Sequence, residues 1–334
     1  MIRPEYQNSK VLVTGASGFV GSRLVEALLQ EGYPVTCLVR KTSNTRTLQE
    51  KAVRLVVGDL ENPETVREAV RGIDTVYHLA GAIKAADREQ YFRINQTGTR
   101  LLLEALAETN PTSRRFIHVS SLAAAGPSSE NRGRTEKENA NPISWYGESK
   151  LRSEQEALKY ANAFRVTILR PSAVYGPGDR ETLMIFRMIK RGWLFTPGRY
   201  TRHFSLIHVD DLSAALIQAG RQDTPSGEIF FVSRPESYTW EEVGQSIARA
   251  LGRTYRSFAF PGSIARMAGF AGDLWASLRG QPATVNSQKI KELLQQYWLC
   301  DSSKAKAGLC FSPRIDLEEG IRSTVQWYQA QGWL

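Results

Sequence analysis

Short runs of β-branched and apolar residues alternate with longer helical patterns through the first two-thirds of the chain. The predicted strands are Val11–Thr14, Val35–Val39, Val53–Val57, Thr75–Leu79, Arg115–Ser120 and Arg165–Leu169. Most are continuous apolar runs rather than alternating ones, as expected of strands covered on both faces. Helical stretches are predicted between them at Gly21–Gln30, Pro63–Val70, Arg93–Thr109 and Tyr146–Ala161; in the first region Val20, Leu24, Ala27 and Leu28 fall at helical spacing. Repeated strand–helix alternation implies parallel strands joined by right-handed crossovers. The predicted class is therefore α/β: a doubly wound parallel Rossmann sheet with a smaller, mainly helical C-terminal substrate lobe.

Regularity fades near residue 175. Gly176-Pro177-Gly178-Asp179 is turn chemistry. A helix is expected over 182–197, a strand over 204–209 that returns to the main sheet, and helices with irregular connections from Thr239 onward. The division expected is a dinucleotide-binding domain over 1–175 and a substrate lobe over most of 176–334. The 334 residues are 42% apolar and 23% charged, which excludes fibrous and fully disordered classes. Lys+Arg number 43 against 34 Asp+Glu, a net +9 that favours a phosphorylated cofactor, a nucleotide, an acidic membrane surface or nucleic acid as partner. Cys37, Cys300 and Cys310 follow no metal-ligand spacing, and His203 and His208 are too isolated for a metal site. His78 and His118 fall inside predicted strands and are expected as core histidines. The polar N-terminus lacks a secretory pattern and no uncharged run is long enough to span a membrane, so a cytoplasmic location is expected.

Val11-Leu12-Val13-Thr14-Gly15-Ala16-Ser17-Gly18-Phe19-Val20-Gly21 is a buried strand, a glycine turn and a helix start. Gly15 permits a turn closed to a β-carbon, Gly18 lets the backbone approach a pyrophosphate, and Gly21 lets helix and strand pack closely. The free N–H groups of the helix start, from Ser17 through Phe19 and Val20, suit phosphate oxygens. The second strand ends in Arg40-Lys41 rather than a carboxylate. A guanidinium can pair bidentately with a ribose 2′-phosphate, so NADP is the expected cofactor, with NAD the alternative. Asp59-Leu60 follows the third strand, where the Asp can accept from the adenine amino group or cap a helix.

Tyr146 and Lys150 stand four apart, on one helical face. Carbonyl reduction needs a proton donor to oxygen, alcohol oxidation needs a base, and an ammonium beside a phenol is expected to favour the phenolate. Ser120-Ser121, at the end of the fifth strand, supplies a hydroxyl to orient a substrate oxygen. With these elements assembled, the sequence resembles an extended short-chain dehydrogenase/reductase, the superfamily of nucleotide-sugar epimerases and dehydratases, dihydroflavonol reductases and 3β-hydroxysteroid dehydrogenases. The matching elements are TGASGFVG at 14–21, GDL at 58–60, HLAG at 78–81, Asn95, HVSS at 118–121, YGESK at 146–150, RPSAVYGPGD at 170–179 and IHVDDL at 207–212. The resemblance selects Ser121 over Ser120 as substrate orienter, with Tyr146 as acid/base and Lys150 as its activator and ribose ligand. It also implies that Gly15, Gly18 and Gly21 meet the pyrophosphate, Asp59 the adenine, Ala80 and Gly81 the ribose and phosphate region, and backbone from Pro171 to Val174 the nicotinamide amide. Asn95 is structural in such proteins, and a homodimer through the flanking helices is the family expectation.

Departures from the family pattern narrow the expectation. Leu122-Ala123 stands where sugar dehydratases carry an acidic pair, and Arg202-His203-Phe204 keeps the diphosphate-gripping Arg of sugar-nucleotide enzymes but not the Asp after it. The leading expectation is NADP-dependent reduction of a carbonyl or oxidation of a secondary alcohol, with small-molecule substrate and no metal. The alternatives are a nucleotide-sugar 4-epimerase with tightly held NAD, in which Arg202 meets substrate, and a non-catalytic dinucleotide-sensing or RNA-binding protein, which an intact Ser/Tyr/Lys set argues against. Asp210-Asp211 is expected to cap the next helix. Within 261–279 an apolar stripe runs through Ile264, Met267, Ala268, Ala271, Leu274, Trp275 and Leu278. It is expected to pack within the lobe, with a pocket lid (which Trp193, Leu194 and Phe195 would extend) or a peripheral membrane contact as the alternatives.

Overall fold

In the computed structural model, residues 9–198, 200–279, 283 and 285–334 are described, residues 277–279 by backbone alone. The main sheet comprises β1 (Val11–Thr14), β2 (Val35–Val39), β3 (Val53–Val57), β4 (Thr75–His78), β5 (Arg115–Val119), β6 (Arg165–Pro171) and, after β7 (Ala173–Tyr175), β8 (Trp193–Pro197) and β9 (His203–His208), also β10 (Glu228–Val232). Its order is β10-β6-β5-β4-β1-β2-β3 and every pairing is parallel. The chain thus winds outward from β1 to β3, then crosses to β4 and winds the other way. The strand order reverses between β1 and β4, which opens a crevice beyond their carboxyl ends.

Helices cover both faces. α1 (Phe19–Gln30) joins β1 to β2, α2 (Arg46–Gln49) precedes β3, and α3 (Pro63–Val70) joins β3 to β4. Then come α4 (Arg88–Phe92), a π-helical turn Arg93–Thr97 and α5 (Gly98–Thr109), followed after β5 by α6 (Leu122–Ala125) and α7 (Trp145–Leu158). On one face Leu24, Val25 and Leu28 of α1 pack with Leu212, Ala215 and Leu216 of α9 (Val209–Arg221), α8 being Leu183–Lys190. On the other, Val66, Leu102, Leu106 and Ala157 pack over Phe116, Val166 and Ile168. All six predicted strands form: β1, β2 and β4 are buried at every position and β5 and β6 at all but one, whereas β3, at the sheet edge, leaves Arg54 and Val57 exposed. β10, whose Phe230, Phe231 and Val232 are buried against β6, completes the sheet and was not among them.

The strand expected over 204–209 does form, as β9, but not in the main sheet. It pairs with β7, with β11 (Ser237–Thr239) and with β13 (Tyr297–Trp298). The helix expected over 182–197 stops at Lys190, because Gly192 takes φ 85° and the chain leaves as β8, paired in parallel with β12 (Arg256–Phe260). Helices α10 (Trp240–Leu251), α11 (Gly262–Arg279), α12 (Ser287–Leu293), α13 (Ser303–Leu309) and α14 (Leu317–Ala330) complete the chain. A separate apolar core of Phe186, Ile189, Ile247, Ile321, Val325 and Tyr328 holds α8, α10 and α14 together. No helix among the described residues is long and apolar enough to cross a membrane.

Candidate active site

The glycine turn lies at the mouth of the crevice. Gly15 takes φ 71°, and a β-carbon there would stand 2.8 Å from the Ala80 nitrogen, so only glycine lets β1 and the end of β4 come this close. A β-carbon at Gly21 would stand 2.1 Å from the Gly15 carbonyl oxygen, which holds α1 hard against the turn. Gly18 is the N-cap of α1 without a side-chain cap, and the first turn, with Phe19 and Val20, carries no acidic residue. Ser17 and Gly18 are exposed. The Gly18 N–H closes the turn onto the Gly15 carbonyl at 3.0 Å, and a positive helix end with no side-chain cap and no competing carboxylate fits a pyrophosphate.

Around this turn the register places the other expected cofactor contacts. Leu38 of β2 pairs with Thr14, so Arg40 leaves the sheet level with the glycine turn. Its side chain is exposed and has no carboxylate partner among the described residues. Asp59 is exposed past β3, with Leu60 half-buried behind it. Asp59 does not cap α3: Asn62 does so, accepting from Glu64 and Thr65, while the Asp59 carboxylate accepts from the Glu61 N–H at 3.0 Å. Ala80 donates to Thr14 Oγ1 at 3.2 Å. A side chain at Gly81 would stand 3.0 Å from Asn95 Oδ1 and 3.8 Å from Lys150 Nζ. Asn95, buried on the π-helical turn, accepts from Ala82 N at 2.7 Å and donates to Ser149 Oγ at 2.8 Å, tying the β4 loop to α7. Pro171 ends β6, buried, and Val174 pairs with Ile207 of β9.

Ser121, Tyr146 and Lys150 come together where β5 and α7 converge. Ser121 is the N-cap of α6, its Oγ accepting from Ala123 N at 3.1 Å, and its hydroxyl lies close enough to the Tyr146 phenol to favour the phenolate. Its neighbour Ser120 points elsewhere and donates to buried Glu154, which also takes a bidentate pair from Arg170 at 2.8 and 2.6 Å. That pair was not singled out in the sequence, yet Glu154 continues the Tyr146–Lys150 row at the same spacing of four. A helix whose buried face carries Ser149, Lys150, Ser153 and Glu154 instead of apolar residues is itself a signal.

The electrostatics differ from the expectation that Lys150 draws the phenol toward ionisation. Burial pushes Tyr146 up to about 12, against the opposing pull of the Ser121 hydroxyl. The Lys150 ammonium donates to the Val119 carbonyl at 2.7 Å, and burial lowers its pKa to about 8 despite the Glu154 charge. The phenol is therefore held protonated. His78 and His118, behind the site, are buried and stacked at 5.4 Å. His78 is bonded through both nitrogens, to Thr14 and Thr99, and burial lowers it to about 3. His118 uses only Nε2, to Ser153, so its ring is not fully satisfied.

From the lobe, Arg202 is buried; its NH1 donates to the Tyr200 carbonyl at 3.1 Å and its Nε has no partner. His203 begins β9, and buried His208 accepts from Asp210 N at 3.3 Å, so the histidine, not the aspartates, caps α9. Asp210 pairs with Arg23 of α1 at 2.8 Å, and Asp211 takes the Arg314 and Ile315 N–H groups. Glu292 of α12 accepts from Ser144 Oγ at 2.6 Å, and Gln288 from Trp145 N at 3.2 Å, so the lobe grips the start of α7 immediately before Tyr146. No motif pointed to Glu292, because its partner is 148 residues away.

A reversed parallel sheet with a glycine turn and a polar helix at its switch point defines a dinucleotide-binding enzyme of the extended short-chain type. Residues 11–233 match the NAD dependent epimerase/dehydratase family, and the chain belongs to that family. It is 35% identical over 326 residues to the ceramide reductase of Caulobacter vibrioides, spanning 97% of this chain and 96% of that protein. Among solved structures, that of gox2253 superposes with a TM-score of 0.81 at 25% identity, over 98% of this chain and 100% of that one. MoeE5 in complex with UDP-glucose and NAD superposes with a TM-score of 0.77 at 26% identity, over 97% and 99% of the two chains.

Proposed function

We propose that the protein is an NADP-dependent ketoreductase acting on a carbonyl carried by a long-chain, lipid-like molecule. The observation that carries this reading is the meeting of the Ser121 hydroxyl and a protonated Tyr146 phenol beside the buried Lys150 ammonium. A bound reduced nicotinamide supplies hydride to the carbonyl carbon. Ser121 orients the carbonyl oxygen, and Tyr146 gives it the phenolic proton. Lys150 holds positive charge beside the resulting phenolate and binds the cofactor ribose. A phenol that keeps its proton to about 12 is a donor at neutral pH and a poor base, which supports reduction over alcohol oxidation. Exposed Arg40 supports a 2′-phosphate and hence NADP, while Asp59, Leu60, Ala80, Gly81, Pro171 and Val174 contribute the remaining cofactor contacts. The likeness to a ceramide reductase across nearly the whole chain supports a lipid ketone as substrate.

A second reading, sugar-nucleotide 4-epimerisation, is favoured by buried Arg202, whose unpartnered Nε suits a diphosphate, and by the likeness to a protein solved with UDP-glucose and NAD. The two separate cleanly. Incubation with a panel of long-chain lipid ketones and NADPH is expected to oxidise one NADPH per ketone reduced; tightly held NAD and interconversion of UDP-sugars without net oxidation would establish the epimerase instead. Tyr146→Phe is expected to lower kcat by about 10²- to 10⁴-fold with dinucleotide affinity unchanged. Wild-type turnover in that variant would remove the assigned role.

A further inference from the structure

The longest helix among the described residues, α11, is turned inside out. Its buried positions are small: Ala265, Gly269 and Ala276, with Gly272 half-buried. A β-carbon at Gly269 would stand 3.0 Å from Ile290 of α12, and one at Gly272 would meet the Val285 carbonyl oxygen, so α11 lies close against α12 through its small face. Asp273 faces the same way, accepting from Ser287 N at 3.2 Å. The large side chains Ile264, Met267, Phe270, Leu274 and Trp275 point outward, between 46% and 73% exposed. The stripe expected to pack within the lobe is therefore largely exposed; Ala268 and Ala271 are exposed with it, and the Leu278 side chain lies outside the described residues. A pocket lid would turn these side chains inward, and they are not turned inward.

A second apolar face adjoins the first in the chain. β12 runs into α11 through Pro261, and on the β8–β12 ribbon Trp193, Phe195 and Phe258 form an exposed aromatic cluster, with ring centroids 5.5 and 6.0 Å apart, while Leu194 is buried beneath. The charges of these two regions are one-sided. Segments 182–209 and 243–272 together hold nine Lys or Arg and no Asp or Glu; of these, Arg249 pairs with Glu318 and Arg202 is buried. The chain's whole net charge is +9, so the remainder is neutral. Lys190, Arg191, Arg253, Arg256 and Arg266 are exposed and have no carboxylate partner among the described residues. Arg256 sits opposite Trp193 in the ribbon, and Arg266 lies within the exposed face of α11.

We propose that this end of the lobe docks on an anionic lipid bilayer. The aliphatic and aromatic side chains enter the boundary between headgroups and acyl chains, and the basic residues pair with lipid phosphates. A second copy of the chain is a poor occupant, since an isologous contact would bring like charges together. The surface also has a direct connection to the site: α11 packs on α12, whose Glu292 and Gln288 hold the start of α7, the helix that carries Tyr146.

The test is co-sedimentation of the full chain with extruded vesicles, independent of any turnover. Vesicles of equal phosphatidylcholine and phosphatidylglycerol are expected to bind the protein at least about tenfold more tightly than phosphatidylcholine alone, and the excess is lost at high salt. The Met267→Asp/Phe270→Asp variant, altered only at exposed positions, is expected to lose binding at least about tenfold at unchanged Tm. Arg256→Glu/Arg266→Glu loses only the preference for the anionic vesicles. Wild-type protein that remains in the supernatant with both vesicles overturns the proposal, as does unchanged binding by the Asp variant. A dimer that the same Asp substitutions dissociate, without vesicle binding, assigns the face to a second copy and likewise overturns it.

Discussion

The nucleotide-binding half and the C-terminal lobe treat large apolar side chains in opposite ways. Before residue 175 the exposed ones are Val57, Ile83 and Leu158, scattered across the surface. Between 184 and 285 there are eleven of the fourteen exposed among the described residues, concentrated on β8, β12 and α11. In the first half helices cover both faces of the parallel sheet, and Val57 is exposed only because β3 is the edge strand. In the lobe α8, α10 and α14 enclose a core that Leu194 of β8 and Leu206 of β9 join, whereas α11 buries only small residues. Apolar sequence therefore means burial in one half and an offered surface in the other.

The sharpest way to break this contrast is to truncate one residue from each side. Leu24→Ala, fully buried between α1 and the sheet, is expected to cost about 2–5 kcal/mol of stability, seen as a large fall in Tm. Next in size is the cofactor preference at the edge of the same half. Arg40→Glu is expected to lower kcat/KM for NADPH by about 10- to 100-fold and leave NADH nearly unchanged. An unchanged ratio would take the guanidinium out of the cofactor site.

A smaller effect tests where the two halves meet. Lys150 loses its proton through about pH 8, whereas Tyr146 keeps its own to about 12. The rate of ketone reduction is therefore expected to be flat below pH 8 and to fall as the ammonium is neutralised above it. Lys150→Arg, whose charge does not titrate there, is expected to abolish the inflection; its persistence would assign the inflection to another group. The smallest effect belongs to the lobe: Phe270→Ala is expected to move stability by no more than about 0.5 kcal/mol, since its ring is 71% exposed. A loss comparable to Leu24→Ala would mean that α11 packs through its large face after all.

Much of the site was legible because its signals are local. Gly15 and Gly21 announce a turn that admits no side chain, and Tyr146 and Lys150 share a helix face by spacing alone. Arg40 follows from the end of a strand. What escaped depended on distant partners: Glu154 with Arg170 beneath Ser120, Glu292 with Ser144, and His208 rather than Asp210 as the cap of α9. β10 escaped because its short run resembles the strands that do not join the main sheet.

The sequence by itself determined the alternation, hence the parallel sheet, its switch point and the glycine turn that faces it, because periodicity and backbone freedom are properties of neighbouring residues. Tertiary structure decided which Ser faces the phenol, how protonated that phenol stays, which sheet β9 joins and which face of α11 meets water. Each of these is set by burial against residues far along the chain. An apolar stripe states what a helix can bury; the close fit of Gly269 and Gly272 against α12 leaves that stripe outside.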